Sequence, residues 1–447
     1  MTAAPLTQSA FFDALAASVC DSAAGAERIT LHLKAETSDF IRFNRAAVRQ
    51  ATHVSQGHAT LAVIDGARRI ESTLSLTGHV DADSSALRAE RAALLSQLPD
   101  VPEDPYLLLP DEVHASSRHQ TGSLPSTGSL VSSVVEAAAG LDFVGFHAGG
   151  PVVRAFADSR GQRHWHHVES FHFDWCLYHQ ADKAVKTAYA GAHWDADEFA
   201  RRVAAGAQRL PLLALAPHAL QPGSYRAYFT PTALSELFGT LNWNGFGAQA
   251  RHTGSSSLSR LAHGAAQLHA GVSLSEDTAR GIAPAFTAEG FTKPGMISLV
   301  EGGMATGTLN SPRSSRQYGL PANGANAQEF AESLRMAPGS LKQADVLAAL
   351  DTGLYVSNLW YLNYSDRQAC RLTGMTRFAC FWVEGGRLVA PLGVMRFDDS
   401  FLRMFGEGLI ALTDEAELIP ESGTYRERQL CSVTTPGALV EGWRLTL

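Results

Sequence analysis

The sequence predicts an α+β protein with two domains: an N-terminal α+β domain built on an antiparallel sheet, and a mainly β C-terminal domain. Alternating apolar and polar runs in the first hundred residues are separated by Asp65-Gly66, a pair typical of a tight hairpin turn. Segments with helical periodicity flank these runs, and the second half reads mostly as strands and loops. The 447 residues suffice for two domains, which we place at 1–220 and 221–447.

The N-terminal half is predicted to begin with a helix and to continue as sheet. Apolar residues at helical spacing mark residues 9–19, and a second apolar stripe marks 82–97, with Asp83 or Ser84 as its cap. The other predicted elements are strands at 29–33, 40–43, 59–64, 70–76, 143–156, 163–177 and 210–229, and helices at 129–138 and 195–205. Prolines at the margins of 210–229 place the domain boundary there.

The C-terminal half is predicted to contain two hairpins with Gly-Gly turns, at 297–305 and 381–389. Each reads as a strand, a turn and a second strand, because glycine adopts the positive φ that tight turns require. Short helices are predicted at 328–336 and 343–350.

Charge and hydropathy exclude several classes of protein. The 36 basic and 44 acidic residues give a net charge of -8, which argues against a dedicated nucleic-acid binder. The longest uncharged apolar stretch is broken by prolines, and the N-terminus lacks the pattern of a secretory signal, so we expect no membrane association. Five widely spaced cysteines without a CxxC pair fit a reducing compartment, and we expect a cytoplasmic protein.

A group of histidines between His164 and His179 is the first candidate for chemistry. On a strand His164 and His166 share a face, and His172 joins them if the strand stays in phase. The group could be a metal site or a polar sheet face. The lack of an acidic or cysteine residue at a recognised ligand spacing favours the sheet face. Nucleophile-elbow, Walker and HExxH motifs are absent from the sequence.

The segment Thr230–Leu241 is predicted to be a helix. Thr230 or Thr232 can cap it, and Pro231 suits its first turn. Its apolar residues repeat at helical spacing, so on its own the segment is an ordinary amphipathic helix.

Here the chain resembles the TldD/PmbA family, which comprises bacterial and archaeal proteins described as zinc-dependent proteases or modulators of DNA gyrase. Catalytic members carry L-H-E-x-x-G-H on this helix, whereas this chain reads Leu-Ser-Glu-Leu-Phe-Gly-Thr over 234–240. The frame, Glu236 and the glycine match, and Ser235 and Thr240 replace both histidines. The resemblance continues in order along the chain, at 40–50, 254–258, 297–307, 334–339, 353–356, 373–374, 381–386, Pro391, 429–433 and Pro436.

The replacements bear directly on metal binding. Zinc prefers imidazole, thiolate or carboxylate ligands, and a neutral hydroxyl is a poor substitute. Residues five apart on an ideal helix lie about 140° apart, so an HExxxH site needs a locally widened turn. The resemblance also implies a third ligand near the C-terminus of catalytic members, to which Cys431 corresponds. Glu236 and Cys431 are therefore weak metal candidates, and we predict no catalytic residue and no cofactor on this chain.

The family resemblance implies a dimer in which a metal-free TldE/PmbA-type chain pairs with a zinc-bearing TldD-type chain to degrade extended peptides. This chain is identified with the metal-free type, so we expect a non-catalytic subunit paired with an HExxxH partner, or with itself, that contacts extended peptide. Two alternatives stay open. One is an independent metallohydrolase with its metal on His164, His166 and His172. The other is a stand-alone homodimeric peptide-binding protein.

Overall fold

A computed structural model of the chain describes residues 6–21, 27–181 and 183–446, and it confirms the α+β class. The strands of the N-terminal sheet are β1 (Arg28–Asn44), β2 (Ala47–Asp65), β3 (Arg68–Ser75), β4 (Ala115–Gln120), β5 (Asp142–Asp158), β6 (Arg163–Gln180) and β7 (Lys183–Gly191). The helices of this half are α1 (Ser9–Ala16), α2 (Val80–Gln97), α3 (Thr127–Ala137), α4 (Ala196–Ala207) and α5 (Leu210–Leu213). A π-helical turn at Ala17–Asp21 extends α1, and a 3-10 turn at Leu98–Asp100 extends α2.

The N-terminal sheet has the order β3-β2-β1-β5-β6-β4, with β7 beside the second half of β6. Its pairings are antiparallel except for that of β4 with β6. Odd-numbered residues of β1, such as Leu31 and Phe43, pack into the apolar clusters beneath α1 to α4. Because successive side chains on a strand alternate between faces, the even-numbered residues of β1 point to the opposite side of the sheet.

The C-terminal half forms a second, larger sheet. Its strands are β8 (Gly223–Phe229), β9 (Leu274–Glu276), β10 (Ile297–Glu301), β11 (Met304–Ala305), β12 (Ser333–Met336), β13 (Gly353–Val356), β14 (Asn358–Asp366), β15 (Arg371–Arg377), β16 (Phe381–Glu384), β17 (Arg387–Pro391), β18 (Arg396–Ser400), β19 (Leu409–Pro420) and β20 (Ser432–Leu445). The helices are α6 (Pro231–Asn242), α7 (Ala248–His252), α8 (Ser259–Ala262), α9 (Pro312–Tyr318), α10 (Val346–Leu350, after a 3-10 turn at Gln343–Asp345) and α11 (Phe401–Met404). The main path of this sheet runs β11-β10-β9-β12-β20-β8-β13-β16-β17.

Both Gly-Gly hairpins form as predicted. Gly302 and Gly303 connect β10 to β11 with φ of 55° and 80°, and Gly385 and Gly386 connect β16 to β17 with φ of 54° and 72°. The Asp65-Gly66 hairpin between β2 and β3 also forms.

Three local predictions are wrong. Residues 210–229 are not one strand: Pro211 lies in the first turn of α5, and the strand begins only after Pro222. Residues 328–336 are not a helix, because β12 pairs with β9 and β20 and this tertiary pairing overrides local propensity. The cap of α2 is also misplaced. The helix starts at Val80, and Asp83 instead accepts hydrogen bonds from the backbone of Thr77, at 3.0 Å, and of Gly78, at 3.0 Å.

Polar contacts join the two halves over the even-numbered face of β1. The loop between β19 and β20 inserts the buried side chain of Arg428, which donates to the carbonyls of Gly150 at 2.8 Å and Ser170 at 2.7 Å. Arg154 on β5 forms an ion pair of 3.3 Å with Glu427 in the same loop. An apolar cluster that contains Phe143 and Phe173 also includes residues of the C-terminal half. The domain boundary at residue 220 stays a prediction.

Candidate functional site

Helix α6, which carries the degenerate motif, forms where the sequence predicts it. Thr230 caps it, because its hydroxyl accepts a hydrogen bond of 3.2 Å from the backbone of Ala233, and Pro231 occupies the first turn. The apolar residues face the core of the C-terminal half, where Ala233, Leu234, Leu237, Phe238 and Leu241 are all fully buried. The helix is α-helical along its whole length, without a widened turn.

The motif positions are engaged in hydrogen bonds within the protein. The Ser235 hydroxyl donates to the carbonyl of Thr232 in the preceding turn, at 2.8 Å. The Glu236 carboxylate accepts from the backbone N–H of Leu359, at the start of β14. The carbonyl of Thr240 accepts a bond of 3.1 Å from the Tyr364 hydroxyl, also on β14. The motif residues therefore hold α6 against β14.

Glu236 is the motif residue with the most perturbed electrostatics. Burial raises the pKa of its carboxyl from 4.5 to about 7, although the Leu359 hydrogen bond and the positive charge of Lys186 act in the opposite direction. Because burial disfavours the charged form, a substantial fraction of this group is neutral near pH 7. A neutral carboxylic acid is a poor ligand for a cation. Burial therefore lowers the affinity for a metal ion of Glu236, the one potential metal ligand that the motif retains.

Cys431 lies in a different environment from Glu236. Burial raises the pKa of its thiol to about 12, with the carboxylate of Glu332 acting in the same direction and the charge of Lys293 opposing it. Lys293 itself is buried and ion-paired with Glu332. Glu236 bonds to the start of β14, whereas Cys431 immediately precedes Ser432, which pairs with β12 and β19. The two candidates lie against different strands, and in the described residues no group of three or more His, Cys, Asp or Glu side chains includes them.

The histidines of β6 do not converge on one point either. The strand is continuous, so His164 and His172 share a face, but eight residues at about 3.3 Å each separate them by about 26 Å. His164 is hydrogen-bonded to Ser116 at 2.8 Å, and His166 to the carbonyl of Ile282 at 3.0 Å. Burial lowers the pKa of His166 to about 3, as expected of a neutral ring packed inside the protein. The three rings cannot bind one ion together.

The zinc implied by the family resemblance does not fit these residues. The positions of both imidazoles hold hydroxyl side chains, and the carboxyl between them bonds to a backbone N–H. In the described ranges, no group of three or more His, Cys, Asp or Glu side chains is arranged to hold a metal ion. No hydrolytic step through a metal can be derived for this chain.

A groove of about 570 Å³ lies between the N-terminal sheet and the end of β15. One of its lining residues is Lys186, whose positive charge acts to lower the pKa of Glu236. Its lining includes Arg42 and Asn44 from the even-numbered face of β1. Its charged lining residues are Arg42 on β1, Arg49 on β2, Lys186 on β7 and Asp174 on β6. Phe378, just after β15, is the lining residue that comes from the C-terminal half.

Sequence reasoning missed this groove, because Arg42 and Lys186 are far apart in the chain. They become neighbours only through the pairing of β1 with β5, β5 with β6 and β6 with β7. The available signal was the alternation at 40–44, which puts Arg42 and Asn44 together on a polar face. It could not show which strands lie beside them.

Comparison with known proteins identifies the architecture. A family model described as the PmbA/TldA metallopeptidase C-terminal domain matches residues 222–446. TldE from Thermococcus kodakarensis superposes with a TM-score of 0.77 at 14% identity, over 94% of this chain and 97% of that one.

A proposed modulator of a DNA gyrase from Thermotoga maritima gives a TM-score of 0.76 at 13% identity, over 98% of this chain and 100% of that one. A similarly described protein from Bacteroides thetaiotaomicron gives 0.72 at 14% identity, over 99% and 98% of the two chains. No curated sequence matches the chain. At these identities the solved structures establish a shared fold. Separately, no helix in the described ranges is long and apolar enough to cross a membrane.

Proposed function

The chain belongs to the PmbA/TldD metallopeptidase family, and on that premise we propose that it is a non-catalytic subunit of a cytoplasmic TldD/TldE-type metalloprotease complex. The complex acts on unfolded or extended peptides, and a TldD-like HExxxH partner supplies the zinc. The observation that carries the proposal is the state of α6, where Ser235 and Thr240 stand at the histidine positions and Glu236 binds the backbone of Leu359.

The chemistry of these groups supports a structural role for the helix. A zinc-dependent peptidase needs imidazole, thiolate or carboxylate ligands that converge on one ion and leave a position open for water. A regular helix with hydroxyls five residues apart supplies neither the ligands nor the convergence. The bonds from Glu236 and Thr240 to β14 instead stabilise the packing of the C-terminal half.

A free strand edge is compatible with contact to extended peptide. In the part of the chain that the structure describes, β2 pairs only with β1 from Ala47 to Gln56, because β3 begins to pair at His58. An unpaired strand edge can add a peptide as a further strand, and backbone hydrogen bonds then give affinity with little sequence preference. We assign this edge as the peptide contact of the subunit.

Co-expression with an HExxxH chain of the same family tests the proposal. We expect a heterodimer that hydrolyses an unstructured peptide in a chelator-sensitive reaction, whereas this chain alone does not. As a control, Glu236→Gln in this chain should leave the activity of the complex unchanged, and the same substitution in the partner's motif should abolish it. Chelator-sensitive hydrolysis by the isolated chain would overturn the proposal. A stable homodimer that ignores the HExxxH chain would favour the stand-alone binding protein.

A further inference from the structure

The groove between the N-terminal sheet and the end of β15 concentrates positive charge in a protein that is acidic overall. The chain carries a net charge of -8, yet Arg42, Arg49 and Lys186 line one groove, and Asp174 is the only acidic residue among its described lining residues. In the described ranges none of these three cations forms an ion pair with a carboxylate. Arginines elsewhere in the protein commonly do so, as Arg28 does with Asp158. The groove therefore presents three basic groups whose charge is not neutralised by an ion-pair partner.

Local backbone geometry directs one of these cations into the groove. The register between β1 and β2 shifts between Arg42 and Phe43, so that Arg42 pairs with Gln50 while Phe43 pairs with Val48. Arg49 is the extra residue of this β-bulge. A bulge redirects the side chain of the extra residue, and both Arg49 and Gln50 consequently line the groove.

Aromatic rings hold the other two cations in place. The Arg42 guanidinium lies 5.4 Å from the ring centre of Phe146, and the Lys186 ammonium lies 5.7 Å from that of Phe378. Such cation–π contacts orient a charged group without neutralising it, because the ring bears only a quadrupole. The hydrogen-bond donors of both side chains stay available to an anionic ligand. A guanidinium can bind a carboxylate through two parallel hydrogen bonds.

We propose that this groove binds the carboxylate side chains of acidic peptide segments, and thereby gives the subunit a preference for Asp- and Glu-rich substrates. The inference rests on the proposed peptide-binding function and deepens it by naming a substrate class. The free edge of β2 carries Arg49, so a strand added there passes the mouth of the groove. A volume of about 570 Å³ is in the range of ligand sites and accommodates two acidic side chains.

Fluorescence anisotropy on the isolated full-length chain tests the inference. The probes are an unstructured 12-residue peptide with alternating Glu and Ser/Gly, the same peptide with Gln for Glu, and both peptides with free and amidated C-termini. At low salt we expect about tenfold tighter binding of the Glu peptide than of the Gln peptide, as three partly exposed ion pairs would give. This preference should weaken as added salt screens the charges. C-terminal amidation should leave the preference intact, because the side chains supply the carboxylates.

Charge reversal locates the site. Arg42→Glu with Lys186→Glu should abolish the preference for the Glu peptide, and the milder pair Arg42→Gln with Lys186→Gln should reduce it if reversal perturbs folding. The matched control is Arg316→Glu with Arg387→Glu, which makes the same change in net charge at exposed arginines outside the groove and should leave the preference unchanged.

Three outcomes would overturn the inference: equal binding of the Glu and Gln peptides, no peptide binding at all, or a preference that survives charge reversal in the groove. Displacement of the Glu peptide by tripolyphosphate at far lower concentration than by unlabelled Glu peptide would assign the groove to phosphate instead. Pairing with an HExxxH chain is measured separately. A heterodimer that forms normally without an acidic preference refutes the groove and leaves the subunit role standing.

Discussion

Replacing Glu236 by Gln tests whether this carboxyl is a neutral structural group or a charged ligand. Burial raises the pKa of Glu236 from 4.5 to about 7 in the folded chain. A raised folded-state pKa means that the native protein binds the proton more tightly than the unfolded chain does. The resulting stabilisation is fully present below pH 4.5 and is lost as the pH rises through 7. Gln has no such titration, and its side-chain oxygen can still accept the bond from Leu359.

The magnitude follows from the size of the shift. Each unit of pKa difference corresponds to about 1.4 kcal/mol, so a shift from 4.5 to about 7 gives roughly 3 kcal/mol as an upper value. We expect Glu236→Gln to have nearly the wild-type free energy of unfolding at pH 5. At pH 8 we expect it to be more stable than the wild type by up to about 3 kcal/mol.

Urea denaturation at pH 5 and pH 8, followed by fluorescence, measures the difference. Glu276→Gln is a positive control, because burial raises the pKa of Glu276 to about 7 as well and this residue lies outside α6. Glu301→Gln, at an exposed hairpin position, should change little at either pH. If Glu236→Gln instead destabilises the protein at pH 8 more than at pH 5, the native state favours the ionised carboxylate, as a bound cation would require. Glu236 would then be a charged ligand and not a neutral structural group.

Three further predictions follow from the same contacts. Placing histidine at both Ser235 and Thr240 should not create stoichiometric zinc binding, because the regular α6 holds these positions about 140° apart; elemental analysis showing one zinc per chain would contradict this. Arg428→Ala should destabilise the protein by about 3 kcal/mol, because it removes buried charged hydrogen bonds to Gly150 and Ser170. Arg426→Ala, at an exposed position of the same loop, should change the stability little, and thermal unfolding of both variants measures the difference. Cys431 should resist iodoacetamide at pH 8 until urea is added, because burial raises the pKa of its thiol to about 12, and peptide mapping that finds it alkylated in the native protein would refute the assignment.

The sequence predicts correctly those elements that caps, turn residues and apolar spacing within one segment determine. The cap at Thr230 with Pro231 and an apolar stripe specify α6 within one segment, and Gly302 and Gly385 supply the positive φ that their hairpins need. Wherever a distant partner decides the structure, the same reasoning fails. Residues 333–336 become a strand because β9 and β20 lie on either side of them, and no residue within the segment signals that pairing.

The candidate site shows the same difference between features that local sequence determines and features that distant residues determine. The sequence alone shows that α6 lacks both motif histidines, because Ser235 and Thr240 occupy their positions. It does not indicate that Glu236 bonds to Leu359, nor that Cys431 lies among Lys293 and Glu332. These interactions join residues about a hundred or more positions apart, and only the sheet topology of the C-terminal half brings them together.

The zinc content of the isolated chain, purified without chelators, equilibrated with zinc and then dialysed against metal-free buffer, shows whether this chain holds a metal ion by itself. We expect far less than one zinc per chain, with the same residual value in Glu236→Gln. One tightly held zinc per wild-type chain, lost in Glu236→Gln, would show instead that Glu236 is a zinc ligand.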